Sequence, residues 1–229
     1  MHSVFREDWG ITDYKEAWTK QEQIFAHNLE RKLQSNKGQT NYIPENRFVF
    51  CEHPHVYTIG RHGGEQNMLL SEKQLEKIGA TYYHIDRGGD ITYHGPGQIV
   101  GYPLLDLEDL HLSIKEYVFC IEETVIRTLH SYGLFTERLQ GATGVWLDAK
   151  KSTARKICAI GIRASRHLTM HGFALNVNTD LAYFSYINPC GFTDKGVTSI
   201  ANEIGKPVDM GAVKAKLFQQ FSDIINSRA

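Results

Sequence analysis

The chain has 229 residues, of which 41% are hydrophobic and 22% charged, and its formal net charge is −1. This composition is typical of a globular domain with a sizeable core, and it argues against a nucleic-acid binder that works through bulk positive charge. The four cysteines form no Cys-x-x-Cys pair, and residues 1–10 lack the apolar stretch of a signal peptide. We therefore expect free thiols and a cytoplasmic location, and no apolar run approaches membrane-spanning length.

The first half of the chain predicts one long helix and then several strands. Asp13 and Glu16 form a capping-box pattern before apolar residues at helical spacing, and Ser71 and Gln74 form a second one. The predicted elements, in order, are a helix over 14–34, strands over 47–52 and 56–60, a helix over 71–78, a strand over 81–86, a glycine-rich connection over 87–97 and a strand over 99–107.

The second half predicts two further helices around three strands. Ser113 and Glu116 cap a helix that ends near Gly133. Strands over 144–148, 156–162 and 171–177 follow with connections too short for crossover helices, and a last helix covers 208–225. We therefore expect an α+β fold with a mainly antiparallel sheet flanked by helices, in a single domain over 1–229.

The glycine-rich connection over 87–98 is a candidate ligand-binding wall. It holds four glycines, Pro96, Arg87 and His94 between two strands, so that backbone can approach a ligand closely. The G-x-G-x-x-G spacing of a dinucleotide site is absent, and so is a P-loop. The alternative is a wide connection between strands in which His94 is simply a hydrogen-bonded polar side chain.

The strand that begins at Lys156 places a lysine at the head of an apolar face. Strict alternation puts Lys156, Cys158 and Ile160 on one face and small residues at 159 and 161 on the other, which leaves space for an apolar ligand. The lysine either extends to solvent or is held for a purpose, and Cys158 is interpreted as a core residue.

Cys190 lies between proline and glycine, in a pattern that predicts a turn. Such a thiol is presented at a surface or cleft, although a buried and inert loop cysteine fits the same pattern. The histidines near Cys51 do not predict a metal site, because Pro54 interrupts them and no second ligand pair stands at zinc-site spacing.

Five stretches together closely resemble the lipoyl(octanoyl) transferases, in the order that this family has them. They are residues 52–61, 87–98, 156–163, 171–178 and 188–191, and the similarity extends over about residues 47–200. One departure is His55, where proline is frequent in the family. The resemblance implies the fold of biotin and lipoate protein ligases, and the transfer of an octanoyl group from acyl carrier protein to a lysine, the first step of lipoate assembly.

The resemblance also implies the site and the partners. Cys190 would accept the acyl group and Lys156 would activate it, without a cofactor or a metal. The acceptors would be lipoyl domains of 2-oxoacid dehydrogenases and the glycine cleavage H protein, and no nucleic acid or membrane is implied. The residues expected to line the acyl site are Arg87, Gly88, Gly89, Asp90, Ile91, Thr92, Tyr93, His94, Ala159, Ile160, Gly161, Gly172, Phe173 and Ala174.

Two other functions fit parts of this pattern. A lipoate or biotin protein ligase would activate its acid with ATP and would leave Cys190 without a role, and a binding module would need neither Cys190 nor Lys156. A separate hypothesis is that the acidic carrier protein docks on part of a cluster of basic residues around the Lys156 strand, which would otherwise be a solvated hairpin. These residues are Lys150, Lys151, Arg155, Arg163 and Arg166.

Overall fold

A computed structural model describes residues 4–38, 41–188 and 195–228. Its helices are α1 Tyr14–Asn36, α2 Glu72–Lys77, α3 Ile114–His130, α4 Ile200–Ile204 and α5 Met210–Asn226. Its strands are β1 Val4–Ile11, β2 Asn46–Glu52, β3 Val56–Ile59, β4 Thr81–His84, β5 Ile91–His94, β6 Gln98–Leu104, β7 Glu137–Leu139, β8 Ala142–Leu147, β9 Arg155–Ser165, β10 Leu168–Asn176 and β11 Gly196–Val197. Short 3₁₀ helices cover Glu65–Asn67 and Leu181–Tyr186.

The strands form a large sheet and a small one. The large sheet has the order β1-β2-β6-β10-β9-β8-β7, with β11 pairing β9, and the small sheet has the order β4-β3-β5. In the large sheet every neighbouring pair along the order β2-β6-β10-β9-β8-β7 is antiparallel. Strand β1 pairs with β2 in parallel, and β11 pairs with β9 in parallel. The predicted α+β class with a mainly antiparallel sheet is confirmed, and so is the predicted meander of β8, β9 and β10.

Helices cover the large sheet through two separate hydrophobic clusters. In one cluster α3 and α5 pack with Phe48, Ile99 and Leu175 of the sheet, all of which are fully buried. In the other, Ala17 and Phe25 of α1 pack on a different set of sheet residues. The predicted capping pattern at Ser113 is present, since its hydroxyl accepts from the Glu116 amide and the Glu116 carboxylate accepts from Ser113 in return.

The small sheet was predicted only in part. The segment over 87–97, expected to be a connection, contains β5, which pairs antiparallel with β3. Strand β1 was not predicted at all. It lies at the edge of the large sheet, where Phe5 is 57% exposed and Ile11 is 73% exposed. Because the strand buries no regular face, its sequence lacks the alternation of apolar and polar residues that predicts a half-buried strand.

No described helix is long and apolar enough to cross a membrane.

Candidate active site

A cavity of about 520 Å³ lies where β5, β6, β8, β9 and β10 meet the first turns of α3. This is within the usual size of a small-molecule site. Lys156 and thirteen of the fourteen residues expected at the acyl site line it, namely Arg87, Gly88, Gly89, Asp90, Ile91, Thr92, His94, Ala159, Ile160, Gly161, Gly172, Phe173 and Ala174. The fourteenth, Tyr93, does not line it.

The Lys156 ammonium is held against an aromatic ring in the cavity wall. Its Nζ lies 4.7 Å from the centre of the Trp146 ring, a distance at which the ring attracts a cation. Trp146 is itself fixed, because its indole N–H donates to the Ala142 carbonyl at 3.1 Å and the residue is 2% exposed. The Lys156 side chain therefore lies against a fixed ring in the cavity wall.

The predicted alternation along β9 is wrong at its start. Trp146 pairs with Lys156 and Val145 pairs with Cys158, so Ile157 is an extra residue in the ladder. Ile157 and Cys158 consequently both belong to the α3–α5 core, instead of alternating between two faces. Lys156 lines the same cavity as Ala159 and Gly161, residues that strict alternation assigned to the other face.

The segment that carries Arg87 is attached closely to β9. The Gly88 amide donates to the Ile162 carbonyl at 2.8 Å, and a Cβ built at Gly161 would lie 2.8 Å from the Gly88 carbonyl. The Arg87 guanidinium is buried and donates from Nη2 to the Thr58 carbonyl at 2.7 Å and to its hydroxyl at 2.9 Å. Only a residue without a side chain at 161 permits this approach.

Buried histidines give the cavity neutral polar walls. His94 Nδ1 lies 2.9 Å from Gln98 Oε1, an acceptor, so Nδ1 carries the proton and donates. Burial holds the pKa of His94 well below its usual value, and the ring is therefore neutral. His171, which the sequence did not single out for this site, lines the cavity with Nε2 2.9 Å from the Asp86 carboxylate. Burial likewise lowers the pKa of His171, more than Asp86 raises it.

The sequence also missed apolar and aromatic residues of the wall. Tyr14, Ile114, Val118 and Trp146 all line the cavity, although the pattern indicated only that three of them lie in helices and one in a strand. Ile114 is 53% exposed and begins α3, which marks one open edge of the cavity. Helical periodicity gives no signal for such a role, because it identifies buried faces and not the rim of a cavity.

Cys190 lies outside the described residues, which continue on either side at Asn188 and Lys195. On its N-terminal side Phe184 lines the cavity, and on its C-terminal side Lys195, Gly196 and Val197 do so. Val197 also pairs with Lys156 in the β9–β11 ladder.

The other three cysteines are buried. Burial raises the pKa of the Cys51 thiol to about 12 and also raises that of Cys158, which suits inert core thiols. Among the described residues, no group of three or more His, Cys, Asp or Glu side chains is arranged to hold a metal ion.

The five basic residues proposed to contain the carrier-docking surface lie on β9 and in the segments that flank it. Arg155 and Arg163 stand eight residues apart on β9, which is about 26 Å along an extended strand. Arg155 pairs with Glu203 at 2.6 Å, and Arg163 pairs with Asp86 at the same distance. Lys151 is likewise paired, with Asp148 at 2.7 Å. Three of the five residues thus have an acidic partner within the chain, and docking of the carrier protein on part of the cluster stays a prediction.

Comparison with known proteins places the chain in a family. Residues 13–222 match the model of the lipoyl protein ligase A/B catalytic domain. An octanoyltransferase of Bacteroides fragilis is 60% identical over 210 residues, covering 92% of each chain, and one of Bacteroides thetaiotaomicron is 55% identical over 221 residues, covering 96% of this chain and 95% of the relative.

Solved structures agree at the level of the fold. A bipartite lipoate protein ligase of Thermoplasma acidophilum superposes with a TM-score of 0.70 at 17% identity, covering 98% of this chain and 85% of the other. A biotin protein ligase of Aquifex aeolicus gives 0.51 at 11% identity, covering 99% and 71%. The fold and the family that the sequence motifs indicated are thus confirmed, and the chain belongs to the lipoyl protein ligase A/B catalytic domain family.

Proposed function

We propose that this chain transfers an octanoyl group from acyl carrier protein to a lysine of a lipoyl domain, through a thioester on Cys190. The observation that carries the proposal is a cavity in which Lys156 lies against Trp146 and shares the wall with small and apolar residues of β9 and β10. Relatives at 55–60% identity that bear the name octanoyltransferase support the acyl group and the reaction. The reaction proceeds in the cytoplasm.

The acyl chain lies along β9 and β10. Ala159 and Ala174 line the cavity with only a methyl group each, so a flexible alkyl chain fits against the strands. The neutral state of His94 matters here, because a charged imidazolium beside an alkyl chain would be poorly solvated.

In the first step, the Cys190 thiolate attacks the carrier thioester. A bond forms between Sγ and the acyl carbon, and the carbon–sulfur bond to the carrier breaks. The carrier thiolate takes a proton from the Lys156 ammonium and leaves as a thiol, so Lys156 becomes neutral. The Lys156 ammonium favours the thiolate of Cys190, because a nearby positive charge lowers a thiol pKa. One thioester replaces another, so this step needs no external energy source.

In the second step, the amine of the acceptor lysine attacks the enzyme thioester. An amide bond forms, the bond to Sγ breaks, and the amine loses a proton. Lys156 in its neutral form takes that proton, and the Cys190 thiolate is regenerated. Each step passes through an oxyanion that needs hydrogen-bond donors, which backbone amides of either the glycine-rich stretch or the Cys190 loop would supply.

Mass measurement of the intact protein tests the proposal. After incubation with octanoyl carrier protein, the wild type and Cys158→Ala should gain the mass of one octanoyl group, and Cys190→Ala should gain none. If the adduct persists in Cys190→Ala, the nucleophile is wrong. If acceptor modification requires ATP and free octanoate, the chain is a ligase instead.

The role of Lys156 has its own control in the same assay. Lys156→Ala should slow alkylation of Cys190 near neutral pH and should depress transfer. Lys156→Arg keeps the charge but cannot act as a base, so it should restore alkylation more than turnover. Identical alkylation-versus-pH curves for the wild type and Lys156→Ala would remove Lys156 from the mechanism.

A further inference from the structure

His55 and Tyr93 form a flat hydrogen-bonded pair beside the cavity. His55 Nδ1 lies 2.7 Å from the Tyr93 hydroxyl, and the two rings are nearly coplanar in orientation, at 19° with centroids 6.1 Å apart. Burial lowers the pKa of His55, so the ring is neutral and its Nδ1 accepts a hydrogen bond from the Tyr93 hydroxyl. Tyr93 is fully buried, which fixes the position of its hydroxyl.

A glycine makes room for this pair. A Cβ built at Gly95 would overlap the Tyr93 hydroxyl, so any other residue at 95 would displace the group that His55 binds. One of the glycines in the 87–98 stretch is thus explained by the His55–Tyr93 pair and not by a ligand. The same pair explains why Tyr93 does not line the cavity.

The ring of Tyr183 lies on the His55–Tyr93 pair. Its centroid is 4.1 Å from that of His55 at an interplanar angle of 8°, and 5.0 Å from that of Tyr93 at 11°. The Tyr57 hydroxyl donates to the Tyr183 carbonyl at 2.9 Å, so backbone and ring are both held. Tyr183 belongs to the 3₁₀ helix Leu181–Tyr186, and its neighbour Phe184 lines the cavity.

The chain after this helix is held up to the last described residue before Cys190. The Leu69 amide donates to the Tyr186 carbonyl at 3.0 Å, and the Asn188 amide donates to the Asn67 carbonyl at 2.9 Å. Ile187 is 3% exposed and belongs to the core of the small sheet. The His55–Tyr93 pair, through Tyr183, is therefore one of the contacts that hold this approach to Cys190, together with those from Asn67 and Leu69.

We propose that His55 is a positioning residue for acyl transfer: through its bond to Tyr93 it supports Tyr183 and thereby sets the position of the chain that leads into Cys190. The inference rests on the proposed role of Cys190. His55 touches no substrate in this scheme and acts only through Tyr93 and Tyr183.

A double-mutant cycle on the rate of Cys190 octanoylation tests the inference. His55→Phe keeps a flat ring under Tyr183 but removes the acceptor, and Tyr93→Phe keeps its ring but removes the hydroxyl. Each should slow octanoylation and lower kcat roughly three- to tenfold, the effect of one lost hydrogen bond, with little change in KM for the acceptor. The double variant should be no slower than either single variant, because both remove the same bond.

Tyr82→Phe is the matched control, since Tyr82 lies on β4 of the same small sheet and its ring packs edge-on against His84. It should leave the octanoylation rate unchanged. If His55→Phe and Tyr93→Phe acylate Cys190 at the wild-type rate, or if their effects on rate simply add, the positioning role is wrong. If the two variants lower the melting temperature and leave the octanoylation rate unchanged, the positioning role is wrong as well.

Failure of the proposed function gives a different result. If Cys190→Ala transfers octanoyl groups at the wild-type rate, the nucleophile and the positioning role are both wrong. If Cys190→Ala is inactive while the His55 and Tyr93 variants are unimpaired, only the positioning role is wrong. Should His55→Phe fail to fold, Tyr93→Phe alone decides, because it removes the same bond.

Discussion

At the residue scale, the absence of a side chain at Gly161 allows the segment that carries Arg87 to lie against β9 in the cavity wall. A methyl group there would lie 2.8 Å from the Gly88 carbonyl and 3.0 Å from Cδ of Arg87. Backbone cannot yield as a flexible side-chain end can, and the Gly88 segment is bonded to β9 on the same side. The small residue that the sequence indicated as space for a ligand therefore also accommodates the chain that carries Arg87.

Gly161→Ala should accordingly impair the site more than the fold as a whole. Overpacking of this kind costs about 1–3 kcal/mol, and moving Arg87 should reduce kcat/KM with octanoyl carrier protein by roughly tenfold or more. Steady-state kinetics and thermal melting of the same preparation measure both effects. Gly211→Ala is the control, because its added methyl group meets only the Asp209 carboxylate at 3.3 Å on the first turn of α5. Equal kcat/KM for Gly161→Ala and wild type would refute the assigned contact.

At the element scale, local patterns predicted helices well and strand registers poorly. The capping residues Asp13 and Ser113 marked the starts of α1 and α3 correctly, because a cap is a contact between near neighbours in sequence. The extra residue at Ile157 has no such local sign. It depends on how β8 meets β9, and it decides that Lys156 lines the same cavity as Ala159.

The first turn of α3 gives the cavity an apolar rim that can be tested. Ile114 lines the cavity while remaining 53% exposed, so a charge there should cost little folding stability. Ile114→Asp should raise KM for an octanoyl donor several-fold, since an alkyl chain loses an apolar neighbour, with a small change in kcat. Ile43→Asp changes a residue that is 72% exposed and does not line the cavity, and its kinetics should match wild type. If both variants behave alike, Ile114 has no part in acyl binding.

At the scale of the whole molecule, the motifs indicated the family and most of the cavity wall, while two strands of the small sheet were predicted but not their separation from the main sheet. Residues at 87–94, 159–161 and 172–174 lie far apart in the chain, and only the pairing of β9 with β10 and the small sheet bring them together. The sequence indicated chemistry at each stretch separately. The resemblance to a known family, and not periodicity, supplied the expectation that they form one site. Tyr93 shows the limit of that expectation, because its side chain packs with His55 and Tyr183 and not in the cavity wall.

The small sheet and α1 also enclose histidines that make stability depend on pH. His53 is fully buried, with Nδ1 2.7 Å from the Thr12 carbonyl and Nε2 2.7 Å from the Tyr102 hydroxyl. Nδ1 therefore donates, Nε2 accepts, and the ring is neutral. Burial lowers its pKa from 6.5 to about 4, against a weaker opposing effect of the Thr12 carbonyl.

The unfolded chain therefore binds a proton at His53 near pH 6.5, while the folded chain does not until about pH 4. The stabilisation is fully present above pH 6.5 and is lost as the pH falls, levelling off below about pH 4. The pKa shift corresponds to about 3 kcal/mol at most for this one residue. Burial also lowers the pKa values of His94 and His171, so these residues add to the loss of stability at low pH.

Urea denaturation from pH 7.5 to 4.5 should show a falling free energy of unfolding, with a shallower fall in His53→Gln. His27→Gln, at an exposed position on α1, should keep the wild-type slope. An unchanged slope in His53→Gln would mean that His53 is protonated in the folded protein, so that its Nε2 donates to the Tyr102 hydroxyl and does not accept from it.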